Sequence, residues 1–264
     1  MSIAPRPART HLLWAPLAAA PVIVALVITA AHTLGPGVAA QLADGPWARW
    51  VQVLGGSSAR GAAPGSLARV VAAVVDINTR YTRLREIGAG TGIVIDAEGL
   101  VLTNNHVVDG ASAITATDVG NHRSYPVSVL GRDRSHDIAL IQLTGATALA
   151  TAPLGDSSTV AVGERVMAVG NAGGRGGTPS RVAGNVTALN QTITAADDVT
   201  KRAERLTGMI AVAARVRPGD SGGPLVNSAG QVVGIDTAAG DSPTGTDGFA
   251  IPINTALQIS RQWS

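Results

Sequence analysis

Three side chains in this sequence have the types and settings for nucleophilic chemistry. Ser221 lies in Pro218-Gly219-Asp220-Ser221-Gly222-Gly223-Pro224-Leu225. Glycines on both sides of it allow backbone conformations closed to other residues and a close approach by a ligand. An exposed Oγ beside backbone N–H groups is what a nucleophilic serine needs. The same composition also describes an ordinary turn, so the serine does not decide the matter alone. His106 ends the run Leu100-Val101-Leu102-Thr103-Asn104-Asn105. Imidazole titrates near neutrality and could act as a general base; the other reading is a structural histidine. Asp137 abuts the apolar Ile138-Ala139-Leu140-Ile141-Gln142-Leu143. It either caps a turn or is held there to orient an imidazole. If it points inward, strand alternation turns its neighbour His136 outward. His122 falls in a polar turn, and His11 and His32 flank an apolar segment. With no cysteine and scattered histidines, neither a metal site nor a thiolate nucleophile is expected.

The elements that must position these groups are short strands. Charged residues make up only 14% of the chain and the formal net charge is +2, without the basic stripe of a nucleic-acid binder. Abundant Gly, Val and Thr with little Glu or Lys favour an all-β domain rich in turns. Arg69 to Asn78 reads as a first strand or strand pair, with a short helix as an option for its alanine-rich part. Gly88-Ala89-Gly90-Thr91-Gly92 enters a strand rather than a helix and lacks a following Gly-Lys-Ser/Thr, which excludes a phosphate loop. Asn171 to Thr178 reads as a glycine-rich loop, Thr192 to Glu204 as an exposed loop or short helix, and Thr255 to Trp263 as a closing helix. The strands form two successive sets, with His106 and Asp137 in the first and Ser221 in the second. A site made from them falls in the groove between two β units.

Leu12 to Ala31 is almost wholly apolar, and a helix over it is long enough to cross a bilayer. Arg6 and Arg9 precede it, which orients the remainder away from the cytoplasm. The expected organisation is a cytoplasmic segment over 1–11, a transmembrane helix over 12–34, a Gly/Pro/Ala/Ser-rich linker over 35–66 and a catalytic domain over 67–264. The alternatives are a cleaved signal peptide with Val38-Ala39-Ala40 as its small-residue site and a buried helix of a soluble protein.

Four segments resemble the trypsin-like serine proteases, in particular their bacterial HtrA/DegP-like branch. They are Gly90-Thr91-Gly92-Ile93-Val94-Ile95 with Gly99 to Val108; Asp137-Ile138-Ala139-Leu140; Pro218 to Asn227; and Gly248-Phe249-Ala250-Ile251-Pro252. The resemblance implies an all-β fold, a trypsin-like pair of six-stranded β-barrels, here preceded by one transmembrane helix. It implies Ser221 as nucleophile, His106 as base and Asp137 as orienting acid, with the N–H groups of Gly219 and Ser221 as oxyanion hole. No cofactor and no metal are implied. Arg215 stands where trypsin places a specificity acid, and either disfavours basic substrate side chains or faces water. Ile235, Asp236, Thr237 and Ala238 are expected to form the wall that binds substrate. Asp220 is expected to bond to Arg215, Arg217 or backbone N–H groups rather than to a freed amino terminus. The partners implied are protein or peptide substrates, the membrane and, as is common in the family, further copies in a homo-oligomer. The expected protein is a single-pass cell-membrane protease with its catalytic domain outside the cytoplasm and no PDZ domain. A binding-only domain and an esterase on the same fold are the competing functions.

Overall fold

A computed structural model of the chain describes residues 66–82, 85–171, 176–196, 203–237 and 248–263. The chain divides into two units, 1–59 and 60–264. The first lies outside the described residues, and everything below concerns the second.

A short helix α1 (Ser66–Ala72) leads into β1 (Val74–Tyr81), whose Val74, Val75 and Ile77 are fully buried. The helical option for the alanine-rich part is therefore the one adopted. β1 pairs on one side with β2 (Glu86–Val94) and on the other with β4 (Ala113–Asp118). With β3 (Leu100–Thr103), β5 (Ser124–Asp133) and β6 (Ile138–Leu143) they close into a barrel in the order β1-β2-β3-β6-β5-β4. Closure leaves no strand edge unpaired. Space inside is tight: a Cβ on Gly92 would stand 2.6 Å from Val101 Cγ1.

The second half repeats the plan. β7 (Arg165–Gly170), β8 (Ser180–Ala196), β9 (Ala203–Val212), β10 (Pro224–Asn227), β11 (Val232–Thr237) and β12 (Gly248–Pro252) close in the order β10-β11-β12-β9-β8-β7. Two further helices matter here: α2 (Asn105–Val108), between β3 and β4, and α3 (Ile253–Ser260) after β12. The first barrel is filled by Ile, Val and Leu side chains such as Ile93, Leu102 and Ile141. The interior of the second is lined by smaller ones, including Ala168, Val212, Ala214 and Ala250. The double barrel expected from the resemblance is thus present.

Two expectations are corrected. The two ends of the segment expected as loop or helix over Thr192 to Glu204 are strand instead: β8 runs on to Ala196 and β9 starts at Ala203, and 197–202 lie outside the described residues. Register shifts at 186/188, 188/191 and 191/193 let this long ribbon curve. Its polar sequence reflects one solvated face, while Leu206 and Met209 pack inward. The transmembrane helix placed over 12–34, and with it the single-pass membrane protein, is also withdrawn. Those residues lie outside the described ones, and no described helix is long and apolar enough to cross a membrane. Hydropathy reports that a run could span a bilayer, not that it forms the spanning helix.

Candidate active site

The first barrel supplies an imidazole–carboxylate pair. β3 ends at Thr103, and the chain turns at once into the single helical turn α2, which carries His106. The histidine therefore sits on a one-turn helix rather than at a strand end. Asp137 is brought to it by the tight turn Arg134–Asp137 before β6, where it takes a left-handed φ of +55°. Asn105 N–H (3.2 Å) and the Asn104 side-chain amide (3.0 Å) both donate to the Asp137 carbonyl, so turn and helix are fastened to each other. His106 N–H then donates to Asp137 Oδ1 at 2.9 Å, and His106 Nδ1 lies 2.9 Å from Oδ2. The Asp137 side chain is 2% exposed and that of His106 24%, so the ring keeps one open edge. Arg132 and Arg134 both pair with Asp109 just past α2, which ties β5 and the acid's turn to the histidine's helix. His136 is exposed and bonded to Asp133 and Ser135, away from the pair.

The second barrel supplies the serine. Gly219 at φ +97° and Gly222 at φ +88° bend the turn around Ser221 through conformations that L side chains avoid. A Cβ on Gly222 would lie 2.1 Å from the Thr91 carbonyl oxygen and 2.3 Å from Thr103 Oγ1. The turn is seated on the first barrel by Thr91, whose N–H donates to Ser221 O (2.8 Å) and whose hydroxyl donates to Gly219 O (2.7 Å). Thr103 holds Thr91 in turn, donating to its carbonyl at 2.7 Å. On the other flank, Gly222 N–H donates to Asp236 O and Asp236 N–H to Gly223 O, each at 2.7 Å. A Cβ on Gly90 would stand 2.6 Å from Val107 and 3.3 Å from Ser221 O, so only this glycine's backbone separates α2 from the serine. Gly219 O is drawn toward Thr91, and no acceptor among the described residues meets the N–H of Gly219 or of Ser221.

Asp220 is 1% exposed and bonds locally. Its Oδ2 accepts from Arg217 N–H (3.0 Å), within the range of partners expected, and its Oδ1 from the Ser180 hydroxyl (2.9 Å), which no sequence signal indicated. Arg215 is exposed between buried Ala214 and Val216 and points away from the barrel interior. Ile235, Asp236 and Thr237 are all buried, and Ala238 lies outside the described residues. Thr237 does something sequence reasoning missed: its hydroxyl crosses from the second barrel and donates to Asp137 Oδ2 at 3.2 Å. Thr91, Thr103 and Thr237 read in sequence as ordinary β-branched strand residues, and nothing in their spacing marks them as supports. Glu204 was also passed over as loop. Burial, and after it the charge of Asp137, raises its carboxyl above the ordinary range.

Two closed six-stranded barrels, with an acid–imidazole pair from one and a glycine-bent serine turn from the other, define the trypsin-like class of protein. The chain belongs to the family of trypsin-like peptidase domains, which it matches over residues 90–235. It is 35% identical over 218 residues to the serine protease PepD of Mycobacterium tuberculosis, covering 75% of this chain and 46% of PepD. To the periplasmic serine endoprotease DegP of Escherichia coli it is 37% identical over 176 residues, covering 66% of this chain and 35% of DegP. A solved structure of the HtrA-type protease AlgW with a tripeptide matches at 30% identity and a TM-score of 0.63, over 75% of this chain and 62% of that one. The chain thus spans less than half the length of these two relatives. The likeness supports the HtrA/DegP branch and carries no membrane anchor with it.

Proposed function

We propose that the two barrels form a serine endopeptidase that hydrolyses peptide bonds of protein or peptide substrates outside the cytoplasm. The observation that carries this is the coupling of the His106–Asp137 pair to a serine turn that leaves two N–H groups open. Ser221 Oγ attacks the scissile carbonyl while His106 Nε2 takes its proton. The proton then passes to the leaving amine, the acyl group stays on Ser221, and water, activated by the same imidazole, releases it. Asp137 fixes the ring through Nδ1 and favours the charged imidazolium that forms. The N–H groups of Gly219 and Ser221 receive the developing oxyanion, a contribution of about 2.7–4 kcal/mol for each donor. No step calls on a cofactor. The extracytoplasmic setting rests on relatives such as DegP, whose name places that protein in the periplasm. The test is labelling by a fluorophosphonate together with cleavage of a denatured protein. Labelling and cleavage that both vanish in Ser221→Ala are expected; turnover that survives the substitution would refute the assignment.

A further inference from the structure

The side chain of Asp236 has no task in that mechanism. It is 0% exposed, and neither carboxyl oxygen meets a hydrogen-bond partner. Its backbone is bonded on both sides to the nucleophile turn, so its Cα is fixed within a few residues of Ser221. Its direction follows from register. Asp236 pairs directly with Ala250 on β12, and Gly234, two residues back on the same face, points its absent Cβ at Ala250 Cβ (3.1 Å) and Leu225 Cβ (3.5 Å). Ala250 and Leu225 belong to the interior of the second barrel. The carboxyl therefore enters that interior, from the strand whose backbone is bonded to the Ser221 turn. The walls there are small: a Cβ on Gly248 would touch Val216 (2.5 Å) and the Ala214 carbonyl (2.9 Å).

No cation on the described residues answers it. Arg215 faces outward, and Asp220, its charged neighbour, is occupied by Ser180 and the Arg217 N–H. β10 and β12, which flank it, bring no titratable side chain. Burying an acid without a partner is costly. Burial first, and then the Asp220 charge, pushes this carboxyl well above the ordinary range. A group kept at such cost next to the nucleophile turn is suited to a ligand that completes it.

We infer that Asp236 is the specificity-determining residue of the pocket beside Ser221 and selects substrates whose side chain next to the scissile bond is cationic, lysine or arginine. This rests on the peptidase reading above. A lysine or arginine head that reaches Asp236 meets two unoccupied acceptor oxygens, and the acid gives up its proton to solvent as the ion pair forms. The sign of the pocket is then set by Asp236 and is opposite to the one Arg215 suggests in sequence.

The test uses the full chain and its Asp236→Asn form, which keeps the shape and removes the charge, with thermal unfolding as the check on folding. Cleavage-site profiling of a peptide library is expected to show scission after Lys or Arg in the wild type. In Asp236→Asn the preference over Ala or Val should fall by on the order of 10²-fold. In parallel, p-aminobenzamidine fluorescence reads the pocket without turnover: binding to the wild type and to Ser221→Ala is expected, and loss in Asp236→Asn. Wild-type cleavage after neutral aliphatic residues, with a profile unchanged by Asp236→Asn, overturns the inference and leaves the peptidase standing. Amidine binding that depends on Asp236, in a protein that fluorophosphonates do not label, removes the peptidase and with it the cleavage selectivity, and leaves Asp236 as a cation-binding residue only. Amidine binding that is absent, or indifferent to Asp236, counts against it whatever the protease does.

Discussion

Asp137 and Asp236 stand in one site, one on each barrel, and both are shut away from water. Asp137 Oδ1 takes the His106 N–H, and Oδ2 takes the Thr237 hydroxyl and faces the imidazole. Asp236 has nothing at either oxygen. Asp76 is intermediate: it is 3% exposed, the Gly177 N–H donates to its carboxyl, and Oδ1 is unpartnered. The series shows that burial does not fix what an acid does. Donors make a buried carboxylate a rigid part of the machinery, and their absence leaves a group whose charge state is set by whatever arrives.

The largest effect should come from disturbing the fully partnered acid. Asp137→Asn keeps the size of the side chain but offers an N–H₂ group where His106 Nδ1 now finds an acceptor. The imidazole is then held in the wrong tautomer, and kcat should fall by on the order of 10⁴-fold with the fold retained. A loss below tenfold in steady-state cleavage would mean that Asp137 is a structural cap, and the contrast with Asp236 would collapse.

Asp236→Asn should act on stability in a way that depends on pH. The folded-state value of Asp236 is raised far above its unfolded one. Above the unfolded value the native state holds the extra proton, so stability is greatest in acid and declines as pH rises. The amide cannot ionise and removes that decline. Thermal melts of wild type and variant should converge near pH 4 and separate steadily above it, the variant being the more stable. Parallel curves up to pH 9 would show that a donor reaches the carboxyl in solution.

Asp76 gives the intermediate case with a defined window. Burial raises it to about 6, against the lowering effect of the Gly177 N–H. By the same sign rule its contribution is full below about pH 4 and is lost between about pH 4 and 6, for roughly 3 kcal/mol in all. Asp76→Asn should flatten the stability profile over that window and nowhere else. Chemical denaturation at several pH values reads this directly.

Much of this was legible in the sequence because the chemistry is local to short segments. The glycines around Ser221, the strand before His106 and the apolar run after Asp137 each marked one position, and the four family segments marked the double barrel. What was not legible is what crosses between segments far apart in the chain. Thr91 and Thr103 seat the serine turn from another barrel, and Thr237 reaches Asp137 across 100 positions; a strand threonine carries no mark of its distant partner. The β8–β9 ribbon was misread for a related reason. Its polar outer face masks a strand whose inward side chains are Leu206 and Met209. Arg215 draws attention by its spacing from Ser221, yet it lies past the end of β9 and takes the second of its two expected readings, facing solvent between buried Ala214 and Val216.

The smallest predicted effect is the one that joins the two acids. Thr237 is the neighbour of Asp236 on β11 and the only described residue of the second barrel that donates to Asp137. Its bond is 3.2 Å long, while Asp137 keeps the His106 N–H and the imidazole at 2.9 Å. Removing the hydroxyl should cost about 1 kcal/mol, roughly fivefold in kcat/KM, because the acid retains its other donors. Thr237→Val keeps the β-branched shape and deletes the donor, and Thr237→Ser restores the donor without the methyl group. Loss in the first and recovery in the second would assign the effect to the hydrogen bond. Equal loss in both would assign it to packing, and the second barrel would then bear on Asp137 only through shape. If the cleavage preference moves as well as the rate in Thr237→Val, the two acids are coupled through β11, and the donors of one help to set the selectivity of the other.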